Sequence, residues 1–168
     1  MSHDCSSPTR RRALHLIGGF VASSALATPA LARRPDITQL LVKKDRRTLY
    51  LLNGRRALFT YDIDLGFTPV GPKIQRGDGR TPEGLYRIDR RNPYSRYHLS
   101  LGIDYPRPRD RQRARAHGVD PGDNIFVHGE AGHKDGPDWT AGCVAVSDAE
   151  IEQIYDLVAL HTPIMITP

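Results

Sequence analysis

The chain has 168 residues, 39% of them hydrophobic and 26% charged, with a formal net charge of +5. That is enough apolar material for one ordinary core, and the mild positive balance, with no aromatic residues interleaved among the basic ones, is no nucleic-acid footprint. Two cysteines exclude a disulfide-stapled scaffold.

Residues 1–32 read as a signal peptide. A basic stretch, Thr9-Arg10-Arg11-Arg12, precedes an apolar run of small residues that ends in the A-x-A pattern Ala30-Leu31-Ala32. The arginines after Thr9 resemble a twin-arginine export signal, with Ala13 where phenylalanine is usual. The expectation is export to the periplasm through that machinery. The alternative is an uncleaved anchor in the inner membrane over residues 13–32, against which Gly18, Gly19, Ser23 and Ser24 make the run mild. Residues 33–37, with Arg33-Arg34-Pro35, read as a linker. Cys5 falls in the leader, so the exported domain keeps Cys143 alone. In an oxidising compartment a thiol without a partner is either buried and inert or kept for chemistry.

Beyond the linker, residues 37–44 and 48–54 read as strands, the second ending in a primed hairpin turn at Asn53-Gly54. Residues 56–66 set Phe59, Tyr61, Ile63 and Leu65 against Leu58, Thr60 and Asp62, the alternation of a strand with one buried face. A glycine- and proline-rich loop fills 67–84. Residues 85–89 and 96–106 are further strands, 109–118 a short polar helix closed by Gly118, and 124–129 a compact strand ending in His128-Gly129. The capping box Ser147-x-x-Glu150 opens a helix with Ile151, Ile154, Tyr155 and Val158 on one face, and 162–168 closes as a β-like run. The sum is a mainly β single domain with one good helix in its C-terminal half and one short polar helix.

The chemistry concentrates near that last helix. His128 and Cys143 stand 15 residues apart across a polar, glycine-rich loop that can fold back and bring them together. An imidazole beside a thiol can take its proton or pair with its thiolate. Gly142 lets the backbone approach a bound carbonyl, and the amides of Gly142 and Cys143 are candidate oxyanion donors. Three readings stay open on residues alone: this Cys-His acyl-transfer site, a buried structural cysteine, and a metal site of His128, His133 and Cys143 with Asp135 or Asp138. The metal reading lacks any C-x-x-C or H-E-x-x-H spacing. His98 and His117 read as ordinary.

The segments IFVHG (125–129) and DWTAGCVAVSDAEI (138–151) together resemble the signature of the L,D-transpeptidase catalytic domain family, the YkuD-type fold, in which a histidine and a spacer precede Ser/Thr-x-Gly-Cys. GDGRTPEGLYRI (77–88), SRYHLSLGIDYP (95–106) and GVDPGDNIFVHG (118–129) resemble further segments of the same family, in the branch that includes YafK-like proteins. The likeness spans about residues 38–166, so residues 38–168 are assigned as the catalytic domain. The resemblance implies a β-sandwich-like domain with the cysteine in a groove, acting on peptidoglycan stem peptides without a metal or other cofactor. Cys143 would attack an L-to-D peptide bond and form a thioester that an acceptor amine resolves. His128 would be the base, with the Gly129 carbonyl orienting its ring. A hydrolase on the same scaffold, or a non-catalytic wall-binding domain, are the alternatives. Two positions depart from the family pattern: Ala141, where histidine is frequent, and Ala145, where arginine is frequent. Tyr97, Arg96, Arg80 and Thr140 are the candidate substrate contacts.

Overall fold

The computed structural model describes residues 34–168; the signal-peptide assignment lies outside the described residues. In chain order the elements are β1 (Gln39–Lys43), β2 (Thr48–Asn53), β3 (Arg56–Asp62), β4 (Gly84–Ser95), β5 (His98–Ile103), α1 (Pro108–Ala116), β6 (Phe126–His128), β7 (Val144–Ala145), α2 (Asp148–Leu157) and β8 (Pro163–Thr167). The strands form one mixed sheet in the order β3-β2-β1-β8-β4-β5-β6-β7. The mainly β expectation with two helices therefore holds, and β4 joins the halves. Gly84–Arg87 pair with β8, and the rest of β4 pairs with β5 across two irregularities in register.

Two parallel contacts carry the long-range topology. β1 lies beside β8, and β6 beside β7. Leu40, Val42, Leu49, Leu51, Tyr86, Ile88, Leu101, Ile103, Val127, Val144, Ile164 and Ile166 are all buried, and Ile151 and Ile154 of α2 complete the core. Each such side chain contributes about 1.5–3 kcal/mol by leaving water, so the apolar alternation of the strands decides which face turns inward.

The β2–β3 turn is shifted by one residue from the expected position. Asn53 pairs with Arg56, so Gly54-Arg55 are central, and only Gly54 takes positive φ (56°). Glycine at the first central position is the pattern of a II′ turn rather than I′. α1 begins at Pro108 and is followed by Gly118 in the left-handed region (φ 67°). Its Asp110 is buried and accepts the Tyr86 hydroxyl at 3.0 Å and the Arg107 amide at 2.9 Å.

α2 opens on the expected capping box: the Glu150 amide donates to Ser147 Oγ, and Glu150 Oε2 accepts from the Ser147 amide at 2.9 Å. No basic residue stands in its last turn. Arg91 of β4 supplies that charge, its guanidinium donating to the Tyr155 and Val158 carbonyls at 2.5 Å each.

Candidate active site

The sheet itself sets His128 and Cys143 on a common face. Val127 pairs with Val144 and turns with it into the core, so their neighbours Phe126 and His128 face the other way. Cys143 directly precedes β7 and in this parallel register falls opposite Phe126. Strand spacing and rise then separate the Cα atoms of Cys143 and His128 by about 8 Å, within side-chain reach. Ser100 of β5 stands opposite His128, and Asn92 of β4 opposite Ser100, on the same face. Over this face lies a cavity of about 230 Å³, lined by Cys143, His128, Phe126, Ser100, and the β4–β5 turn residues Arg96 and Tyr97.

His128 is buried, and its Nδ1 lies 2.6 Å from the Gly129 carbonyl oxygen. A carbonyl can only accept, so Nδ1 carries the proton and Nε2 the lone pair. The ring is clamped between aromatic neighbours: Tyr97 stacks on it at 4.5 Å between centroids, and Trp139 meets it edge-on at 5.7 Å. Gly129 allows this fit. A Cβ there would lie 2.5 Å from Asp148 Oδ1 and 2.9 Å from the Tyr97 carbonyl. Asp148 in turn accepts the Glu130 and Ala131 amides at 2.8 and 2.9 Å, tying the segment after His128 to the start of α2. Burial holds His128 below its ordinary value, opposed by the Gly129 bond.

Cys143 is half-buried, with Sγ 3.7 Å from the Asn124 carbonyl. Burial pushes its thiol up to about 11, against the pull of the Phe126 amide and the Lys73 charge. At neutral pH both groups are therefore uncharged. The pair is a thiol beside a neutral base, so the proton must leave sulfur as the sulfur attacks.

The loop before Cys143 is held backbone to backbone. Gly142 has φ 123°, and a Cβ there would lie 2.6 Å from the Arg80 carbonyl. A Cβ on Gly66 would lie 2.1 Å from the Gly79 carbonyl and 2.8 Å from the Gly142 backbone. The glycine-rich segment 77–84 is thus the backing of the cysteine loop. The Gly142 amide donates to Thr140 Oγ1 at 3.1 Å, and that hydroxyl donates to the Cys143 carbonyl at 2.8 Å. The Gly142 N–H, expected as an oxyanion donor, is thus occupied within its own loop in this structure. The Cys143 amide makes no hydrogen bond to any described residue.

Of the four expected substrate contacts, Arg96 and Tyr97 line the cavity. Arg96 lies over the Tyr97 ring at 5.2 Å and makes no ion pair among the described residues. Thr140 is buried and occupied within its own loop. Arg80 turns its side chain toward a different cavity, lined by Asp78 and His117, and serves the site only through its carbonyl. For the metal reading, no three His, Cys, Asp or Glu side chains among the described residues converge to hold an ion. His133 packs edge-on against Tyr97, and Asp138 is committed to Arg47.

Sequence reasoning missed Trp139 and Lys73. Trp139 is the only tryptophan in the chain and stands one residue before the Thr-x-Gly-Cys run, a position that could have flagged it. Lys73 gave no such signal. It lines a second cavity of about 360 Å³ that shares Cys143 and Asn124 with the first. A thiol, a proton acceptor and one amide donor around an open cavity are the parts for nucleophilic attack on a carbonyl.

The chain resembles known proteins over most of its length. The chain is 29% identical over 151 residues to the putative L,D-transpeptidase YafK of Escherichia coli, covering 83% of this chain and 56% of that protein. Among solved structures, the helical cell shape determining protein Pgp2 of Campylobacter jejuni superposes with a TM-score of 0.63 at 24% identity, over 77% of this chain and 47% of that one. Bd1075 of Bdellovibrio bacteriovorus superposes with a TM-score of 0.57 at 28% identity, over 79% and 48%. The chain thus spans about half the length of these relatives. Residues 38–166 match the family described as the L,D-transpeptidase catalytic domain, and the chain belongs to that family.

Proposed function

We propose that the protein is a cysteine acyltransferase acting on peptidoglycan stem peptides in the cell envelope. Its export is inferred from the leader-like residues 9–32. The Cys143 sulfur attacks the carbonyl carbon of an L-to-D peptide bond while His128 Nε2 takes the thiol proton. The Cys143 amide donates to the oxygen as it becomes negative. The protonated imidazole then gives its proton to the departing D-amino acid nitrogen, the C–N bond breaks, and a thioester remains. An acceptor amine attacks the thioester and loses a proton to His128; a new amide forms and the thiol is regenerated. The Gly129 carbonyl holds the ring in the tautomer this sequence needs, standing where a triad has its third side chain. Arg96, exposed at the cavity and unpaired among the described residues, is the candidate grip for a substrate carboxylate.

One observation carries this reading: His128 and Cys143 share a sheet face and a cavity, with His128 Nδ1 committed to a carbonyl and Nε2 left to accept a proton. The test is incubation with purified tetrapeptide muropeptides and analysis of the products. Crosslinked dimers are expected, and Cys143→Ala should abolish them while melting like the wild type. Clipped monomers would make water the acceptor and the protein a hydrolase. A Cys143→Ala variant with full activity would remove the nucleophile role altogether.

A further inference from the structure

Lys73 is a buried cation for which the reaction above has no use. Its side chain is 3% exposed. The ammonium donates to Asp78 Oδ1 at 2.8 Å and to the Gln75 carbonyl at 3.0 Å. Asp78 also accepts the amides of Ile74, Gln75 and Arg80 at 2.8, 3.0 and 3.1 Å. Lys73 lines the cavity that holds Cys143, and Asp78 lines the separate one that holds Arg80 and His117. The cation therefore shares a cavity with the thiol, while the carboxylate is also compensated by three backbone N–H groups. The same carboxylate grips the Arg80 amide, and the Arg80 carbonyl abuts Gly142.

The other charges around Cys143 do not offer an equivalent field. His128 is neutral and buried. Arg96 at the first cavity is exposed. Arg76 and Asp123, which line the Lys73 cavity, are 59% and 51% exposed and meet each other at 3.4 Å. Solvent screens exposed charges strongly and buried ones weakly.

We propose that Lys73, held by Asp78, is a positioning residue whose buried positive charge, at the cavity it shares with Cys143, favours the thiolate as it forms. This rests on the assignment of Cys143 as nucleophile. It also accounts for the buried Lys73–Asp78 ion pair, for which the close packing of the neighbouring glycines alone gives no reason.

The test reads the sulfur directly and needs no muropeptide. The rate of Cys143 alkylation by iodoacetamide is followed by intact mass across pH 6–11 in the full chain. Lys73→Met is compared with Lys73→Arg and with the double variant Lys73→Met/Asp78→Leu. The double variant replaces the buried pair by apolar groups and guards against a charge left stranded in the single one. Expected is a fall of about threefold or more in the alkylation rate at pH 8 for both charge-free variants, with the whole profile moved to higher pH and the wild-type profile kept by Lys73→Arg. A charge-free variant that is folded by circular dichroism and whose profile overlays the wild type would overturn the proposal. Because the alkylation is independent of turnover, a protein inactive on muropeptides would still give a clear answer about Lys73.

Discussion

At Gly129 a missing side chain decides the geometry of its neighbour. The carbonyl must sit 2.6 Å from His128 Nδ1, and the Cα must press against Asp148, Ile151 and Tyr97, with no space for a methyl group. Gly129→Ala is therefore expected to push the chain away from α2 and swing the carbonyl off the imidazole. The cost in stability should be about 1–3 kcal/mol, as for other overpacked sites. Turnover should fall at least tenfold, since the ring loses the bond that fixes its tautomer. Thermal melting and muropeptide kinetics check this; unchanged kinetics would mean that the ring is held by Tyr97 and Trp139 alone. Thr140 presents the opposite case, a side chain whose every hydrogen bond is internal. Thr140→Val strands the Gly142 amide and the Cys143 carbonyl, at about 1–3 kcal/mol, whereas Thr140→Ser should melt close to the wild type. Equal melting of Val and Ser variants would show those bonds to be dispensable. Cys143 and His128 could be singled out because several segments in order resemble the L,D-transpeptidase signature, whereas the residues alone left three readings open. The duty of Thr140 was not legible. A polar residue near a thiol looks like a substrate contact until the fold shows its hydroxyl turned inward.

Elements were legible where their signal is local. The Ser147–Glu150 capping box and the apolar face of α2 lie within a few turns of chain, and both stand in the structure. β7 was not read as a strand, because two residues carry no period. The second half of β4 was passed over because Arg90, Pro93 and Tyr94 look like a loop; its backbone pairing with β5 keeps it extended while those side chains face outward. The tie between the β1–β2 turn and the cysteine loop is equally silent in the sequence, since its partners lie 91 residues apart. Arg47 clasps Asp138 through Nε at 2.8 Å and Nη2 at 2.7 Å, and Asp138 also accepts the Leu65 amide at 3.0 Å. Arg47 is 36% exposed, so the pair itself is worth about 1 kcal/mol or less. Its larger effect is positional, because Trp139 follows Asp138 and packs on His128. Asp138→Ala is expected to lower the melting point only slightly, yet to shift the emission of the sole tryptophan and cut turnover several-fold. Emission and turnover both at wild-type values would remove this tie from the description of the site.

At the scale of the whole molecule, the sequence implied a mainly β domain, but not the path of the sheet. Alternation says which face of a strand is buried, and nothing in it says that β8 returns to lie parallel to β1, or that β6 takes β7 as its neighbour. Those pairings are chosen by the shared core, and the same choice buries two titratable groups that would be solvated in the unfolded chain. Each leaves a signature in stability against pH. His128 is held below its ordinary value of 6.5 when folded. As pH falls through 6.5 the unfolded chain takes up a proton that the folded one refuses, so stability is lost on the acid side. Cys143 is pushed from its ordinary 9.0 up to about 11. As pH rises past 9 the unfolded thiol ionises first, so stability is lost on the alkaline side as well. Other groups titrate in both ranges, and the differences between variant and wild type isolate these two. Relative to wild type, His128→Gln should melt progressively less badly as pH drops from 7 to 5, and Cys143→Ala should do so as pH climbs from 8.5 to 10.5. Differences that stay constant across both ranges would mean that the two groups titrate as they do in water, and that burial puts no penalty on their charged forms.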